Sequence, residues 1–106
     1  MKILMFAICL ALSAQSFSAV NSPKGKITGF YTGWNEDNVR ITIEGAQYQE
    51  ENCPTKDGYM VSKKDINGYE THISVLLAAF MSSKAVKVVI EGCTVNRPKI
   101  IGVSID

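Results

Sequence analysis

The stretch that decides the fold is Asn67-Gly68-Tyr69-Glu70-Thr71-His72-Ile73-Ser74-Val75-Leu76-Leu77-Ala78-Ala79-Phe80-Met81-Ser82-Ser83, followed after Lys84 by Ala85-Val86-Lys87-Val88-Val89-Ile90-Glu91. Its first half has helical spacing: Ile73, Leu76, Leu77 and Phe80 fall at i, i+3, i+4 and i+7, one buried stripe, which Met81 widens. Asn67 stands where an N-cap belongs, with Glu70 three residues on as the other half of a capping-box-like pair. The helix is expected over 68–83. The second half alternates, with Val86, Val88 and Ile90 inward against Lys87 and Glu91, which is a half-buried strand.

Upstream, 26–32 has strand composition, interrupted at Gly29, where a bulge or bend is expected. After the polar turn 33–38, Val39, Ile41 and Ile43 alternate with Arg40, Thr42 and Glu44, and the two strands read as a hairpin. A polar connection, 45–58, leads to a third strand at 59–62. Downstream, 94–99 reads as a loop, and 100–106 as a last strand with Ile101, Val103 and Ile105 on one face. The order is β-β-β-α-β-β, mainly β, the order of the OB-fold, a partly open five-stranded barrel. An open antiparallel sheet with the helix packed on one face is the alternative.

The chain has 106 residues. Met1-Lys2, ten apolar residues from Ile3 to Leu12, and the small and polar run Ser13 to Ala19 make the three-part layout of a cleavable secretory signal. The apolar run is shorter than the ~20 residues a membrane span needs. Residues 1–19 are expected to leave after Ser18 or Ala19, and 20–106 to form one domain, exported to the periplasm or beyond. Without Lys2, ten of the eleven basic side chains remain against ten acidic ones. That neutral balance argues against a nucleic-acid binder.

Cys9 goes with the leader, and Cys53 and Cys93 remain. Two cysteines in an exported chain imply one disulfide. No Cys-x-x-Cys, zinc spacing, P-loop or Gly-x-Gly-x-x-Gly occurs, and His72 is the only histidine. With no nucleophile or carboxylate recognisably placed beside it, His72 reads as an ordinary surface or interface residue. Glu50-Glu51 is a poor cation cage. The sequence gives no reason to expect an enzyme, a metal or a cofactor.

Trp34 sits in a turn with Asn35, Asp37 and Asn38. An indole beside amides and a carboxylate suits a sugar, whose apolar C–H face stacks on the ring while the polar groups bond its hydroxyls; alternatively Trp34 folds back to plug the barrel end. In an OB-fold the loops after the first and fourth strands border one binding surface. That expectation brings Trp34 and Asn35 toward Asn96 and Arg97 as a glycan site, although Arg97 alone reads as a solvated loop residue. The helix face away from the stripe holds Ser74, Ala78 and Ser82, with Val75 and Ala79, and no charge. It reads as a subunit contact or as a plain small-residue surface.

From Gly25 to Asp106 the chain resembles the binding subunits of AB5 toxins, the subtilase cytotoxin and pertussis-like group. The resemblance lies in the leader, in Gly25-Lys26-Ile27-Thr28, in Ser74-Val75-Leu76-Leu77-Ala78-Ala79, and in Val86 through Cys93. It implies an OB-fold, a ring of five subunits with helices toward the axis, a toxic A subunit as partner, and recognition of cell-surface glycans. The chain is shorter than those subunits and has fewer cysteines, and no residue of their sugar sites is carried across. The competing reading is a monomeric periplasmic domain that binds a protein or peptide or inhibits an enzyme.

Overall fold

The computed structural model describes residues 19–33 and 35–106; the leader expected over 1–19, apart from Ala19, and Trp34 lie outside the described residues. The elements are β1 (Val20–Asn21), β2 (Gly25–Thr32), β3 (Asn38–Ile43), β4 (Tyr59–Ser62), α1 (Tyr69–Ser82), β5 (Ala85–Thr94) and β6 (Arg97–Ser104). Among the described residues the protein is mainly β with one helix, in the expected order plus the short β1.

Alternation sets the register. Val39, Ile41 and Ile43 of β3 point inward, so β2 and β4 both pair with it antiparallel, Thr32 opposite Val39 and Ile41 opposite Tyr59. β5 and β6 form an antiparallel hairpin. Two short joins complete a ring of hydrogen-bonded strands, β2–β3–β4–β6–β5. They are the parallel pair Met60–Lys99 between β4 and β6, and Gly25–Val86 with Lys26–Ala85 between β2 and β5. The result is an OB-like barrel, only partly closed; because the joins are short, a coiled open sheet carrying a helix is an equally fair description.

The core joins Ile27, Ile41, Ile43, Tyr59, Val61, Val86, Val88, Ile90 and Ile100 to Leu76 and Ala79 of the helix. Phe30 of β2 stacks on Phe80, ring centroids 5.8 Å apart. The expected irregularity at Gly29 is present as a register shift. The Tyr31 ring lies over Gly29 so closely that a Cβ there would come within 2.6 Å of it.

β1 covers the edge of β5 that β2 leaves open, Val20 opposite Ile90 and Asn21 opposite Val89. Ser22 completes the seam: its N–H donates to the Val88 carbonyl (2.8 Å) and its Oγ accepts the Val88 N–H (2.9 Å).

Three local expectations need correction. Gly68, not Asn67, is the helix N-cap residue and no side chain caps it; Asn67 falls one position too early, and Glu70 instead lies 3.8 Å from Lys63 Nζ. The buried helix face is turned by about 60° from the expected stripe at 100° per residue. Leu76 and Ala79 are its centre, flanked by Ile73 and Phe80, while Leu77 is 44% and Met81 76% exposed. Small Ala79 lets the helix backbone approach the barrel, which a Leu77–Met81 contact would hold further off.

The last strand begins at Arg97 rather than Ile100. The expected loop is a two-residue turn whose Val95 and Asn96 both take left-handed backbone (φ 49° and 65°), the hairpin geometry that matches strand twist. Register shifts at Val89–Ile90 and Ile90–Cys93 then displace the alternation, so Pro98 and Ile100 face inward and Ile105 is exposed.

The Cys53–Cys93 disulfide is present, Cα atoms 5.9 Å apart, tying the 45–58 connection to the end of β5. That connection is also anchored by Glu51 Oε1, which accepts the Gly92 N–H (2.6 Å), and by the Thr55 N–H, which donates to the Asn96 carbonyl (2.8 Å).

Candidate functional site

The β2–β3 turn meets the β4–α1 connection at one end of the barrel. Asn38 and Ser62 are cross-strand partners there, and one residue beyond, the Lys63 N–H donates to the Asp37 carbonyl (2.9 Å). Asn35, with left-handed backbone (φ 65°), turns the chain so that Glu36 and Asp37 face Lys63 and Lys64. Two ion pairs cross the seam, Lys63–Asp37 at 3.8 Å and Lys64–Glu36 at 3.6 Å.

Three hollows surround this seam. One of about 280 Å³ is lined by Glu36, Asp37, Ser62, Lys63 and Lys64. A second of about 460 Å³ extends over Thr32, Gly33 and Asn35. A third of about 190 Å³ runs from Lys63 to Tyr69 and Glu70 at the start of the helix. Shared Glu36, Asp37 and Lys63 make them one shallow groove. Burial pushes the Tyr69 phenol up, and the charges of Asp37 and Glu70 add to it, so this hydroxyl stays protonated and able to donate.

Asn38, opposite Ser62, is 1% exposed, and neither its Oδ1 nor its Nδ2 has a hydrogen-bond partner among the described residues. Sequence reading placed Asn35, Asp37 and Asn38 in this turn but missed Ser62, Lys63, Lys64 and Tyr69. Lys63-Lys64 directly after a strand was the available signal, but nothing local indicates which turn it faces.

Asn96 and Arg97 lie elsewhere. Asn35's turn meets the C-terminal end of β4, whereas Asn96 and Arg97 contact Thr55 and Asp57, ahead of its N-terminal end. A four-residue strand separates them by roughly 13 Å. The structure therefore does not bring Asn35 together with Asn96 and Arg97.

Arg97 is a staple rather than a solvated side chain. Its Nε and Nη2 fork onto the Asp57 carboxylate (2.6 and 3.1 Å), and Nη1 donates to the Val95 carbonyl (2.8 Å). That fork holds the Asp57 carboxyl below its ordinary value and raises the guanidinium. Arg40 donates to the Asp57 carbonyl (2.7 Å) and lies over the Tyr31 ring, 4.1 Å from its centroid.

His72 Nε2 donates to the Ile101 carbonyl (3.1 Å), tying α1 to β6. Glu50 and Glu51 serve different partners, the Tyr59 hydroxyl (2.7 Å) and the Gly92 N–H. Burial, followed by Glu50, pushes the Tyr59 phenol far up. Among the described residues, no three His, Cys, Asp or Glu side chains gather as a metal site, and no helix is long and apolar enough to cross a membrane.

On α1, Ser74, Leu77, Ala78, Met81 and Ser82 form an exposed, uncharged stripe. Ser74 Oγ and Ser82 Oγ donate to the carbonyls of Glu70 and Ala78 (3.0 and 2.8 Å), so these hydroxyls are satisfied within the helix.

Comparison with known proteins found no family model, no curated protein and no solved structure that matches the chain.

Proposed function

We propose that this chain is an exported, non-enzymatic binding subunit that recognises a cell-surface glycan and self-associates through α1. The observation that carries the reading is the groove at the β2–β3 end. It gathers three carboxylates, two ammonium groups, a phenol, a serine and the amide of Asn67. Such mixed, closely spaced donors and acceptors suit a ligand made largely of hydroxyl groups. The indole of Trp34, in the same turn of the sequence, would supply the flat apolar face that a pyranose stacks on.

The uncharged helix stripe supports self-association. Leu77 and Met81 stand exposed with small residues beside them, and that combination admits a second backbone closely. The toxin-subunit resemblance extends the proposal to a five-membered ring with a toxic subunit as partner.

Glycan-array binding and analytical ultracentrifugation of the mature, disulfide-bonded chain test the proposal. Specific glycan signals together with a mass near five protomers are expected. A clean monomer at micromolar concentration that binds no glycan would overturn it, and stoichiometric capture of a periplasmic protein by that monomer would favour the inhibitor-like reading instead.

A further inference from the structure

We infer that Asn67–Gly68 is a modification site, at which the chain deamidates itself and turns Asn67 into aspartate and isoaspartate on the wall of the groove. The inference holds whatever the groove binds. Deamidation needs an asparagine whose side-chain carbonyl carbon can be reached by the amide nitrogen of the next residue. Glycine serves best there, because it has no Cβ to block the approach and the most permissive backbone. Asn67–Gly68 is the one Asn-Gly step in the chain.

The fold leaves both reacting groups free. Asn67 is exposed in the turn between β4 and α1. Gly68 stands just before the helix with φ −88° and ψ 19°, and no side chain caps α1, so the Asn67 carboxamide is not tied to the first turn. The Gly68 N–H donates to no backbone carbonyl among the described residues. It lies ahead of the helical ladder, in which the His72 N–H donates to the Gly68 carbonyl (2.9 Å).

The other asparagines lack these conditions. Ser22, after Asn21, has its N–H engaged by the Val88 carbonyl (2.8 Å). Asn38 is buried and precedes β-branched Val39. Asn35, Asn52 and Asn96 precede Glu36, Cys53 and Arg97, whose side chains crowd the approach. Asp57–Gly58 is the related acidic step, but Arg97 forks onto the Asp57 carboxylate (2.6 and 3.1 Å), and a carboxylate so held is a poor electrophile.

The reaction consumes only water. Solvent hydroxide removes the Gly68 N–H proton, and the nitrogen attacks Asn67 Cγ. The N–Cγ bond forms, the Cγ–Nδ2 bond breaks, and Nδ2 takes a proton from water and leaves as ammonia. Water then adds to either carbonyl carbon of the resulting cyclic imide. Breaking N–Cγ restores the ordinary peptide link and gives aspartate. Breaking the bond to the main-chain carbonyl carbon leaves the link running through the side chain, which is isoaspartate.

Asn67 lines the hollow that runs from Lys63 to Glu70. Either product puts a carboxylate where a neutral amide stood. Glu70, on the same wall, already lies 3.8 Å from Lys63 Nζ. Ageing of the protein therefore makes this end of the groove more acidic and turns it against anionic ligands.

The test is incubation of the purified chain in warm, mildly alkaline buffer over days, followed by peptide mapping with mass spectrometry and by enzymatic isoaspartyl methylation. Asn67 should convert first, about tenfold or more faster than any other asparagine, and mostly to isoaspartate. Gly68→Ala should slow that conversion about tenfold or more. The added Cβ meets the His72 ring at 3.4 Å, an ordinary contact, so the variant should fold. Asn67→Gln should abolish the acidic species on ion exchange. In isotopically labelled chain, the amide signals of Lys63, Tyr69 and Glu70 should move in step with conversion.

An Asn67 still intact when another asparagine has converted overturns the inference. So does an unchanged rate in Gly68→Ala, or conversion that proceeds only once urea has unfolded the chain. Conversion that leaves the Lys63, Tyr69 and Glu70 signals still overturns its effect on the groove.

Discussion

Ser22→Ala tests how the barrel is sealed. Ser22 is 4% exposed and lies where β1 and β2 leave a gap along β5. Alanine keeps the N–H that bonds the Val88 carbonyl but deletes the Oγ that accepts the Val88 N–H at 2.9 Å. Val88 is fully buried, so its N–H is left without an acceptor. An orphaned buried donor costs about 1–3 kcal/mol. For a domain of this size each kcal/mol moves Tm by about 4–8 °C, so a fall of roughly 4–24 °C is expected in thermal denaturation. Hydrogen exchange locates the loss: protection of the Val88 amide should drop first, with Val89 and Ile90 following as β1 detaches. Ser22→Thr, which retains the hydroxyl, should recover most of the stability. If alanine shifts Tm by less than about 2 °C and Val88 stays protected, Ser22 does not hold the seam.

The Cys53→Ala/Cys93→Ala double variant should lose about 4 kcal/mol, the loop-closure term for a 40-residue separation, measured by urea denaturation. The Glu51–Gly92 and Thr55–Asn96 hydrogen bonds should still dock the 45–58 connection in whatever fraction stays folded, as read by protection of the Gly92 and Thr55 amides. If the chain self-associates as proposed, Leu77→Lys/Met81→Lys should leave it monomeric in sedimentation, while monomer stability changes within about 0.5 kcal/mol per site because both side chains are exposed. Asp57 has a lowered folded pKa, so its contribution is fully present above the ordinary carboxylate value and is lost as pH falls through the lowered one. Asp57→Asn should therefore flatten part of the acid-unfolding curve, by under about 1 kcal/mol because the side chain is nearly half exposed.

Much of the architecture was legible from local pattern. Alternation in 39–44 and 85–91 reports one buried face, and side chains two apart share a face whatever the strand later pairs with. The disulfide followed from counting, because two cysteines admit one partnership. The helix was legible as a helix, but not in its rotation. Period alone favoured Leu77 and Met81 as core, whereas contact with the barrel selected Ala79, since close packing rewards a small residue where a helix axis must come near. The last strand was misplaced for a related reason. Val95-Asn96 lacks the Asn-Gly signature of a tight hairpin, and the bulges that redirect Pro98 and Ile100 exist only in the pairing with β5.

The groove shows the same division. Its residue types were readable in the turn 35–38, and the order of elements named the loops in play. Which loops meet was decided by register: the pairing of Asn38 with Ser62 carries Glu36 and Asp37 onto Lys63 and Lys64, and the parallel β4–β6 join carries Arg97 to Asp57 instead. The sequence by itself determined the mainly β class, the element order, the helix and the cysteine pair, because periodicity and cysteine count are written along the chain. Only the tertiary structure decided that Asn38 lies buried without a hydrogen-bond partner among the described residues, that Ser22 bridges β1 to β5 and that Leu77 and Met81 stay in solvent. Each of those depends on contacts between segments far apart in the chain, and no local pattern encodes them.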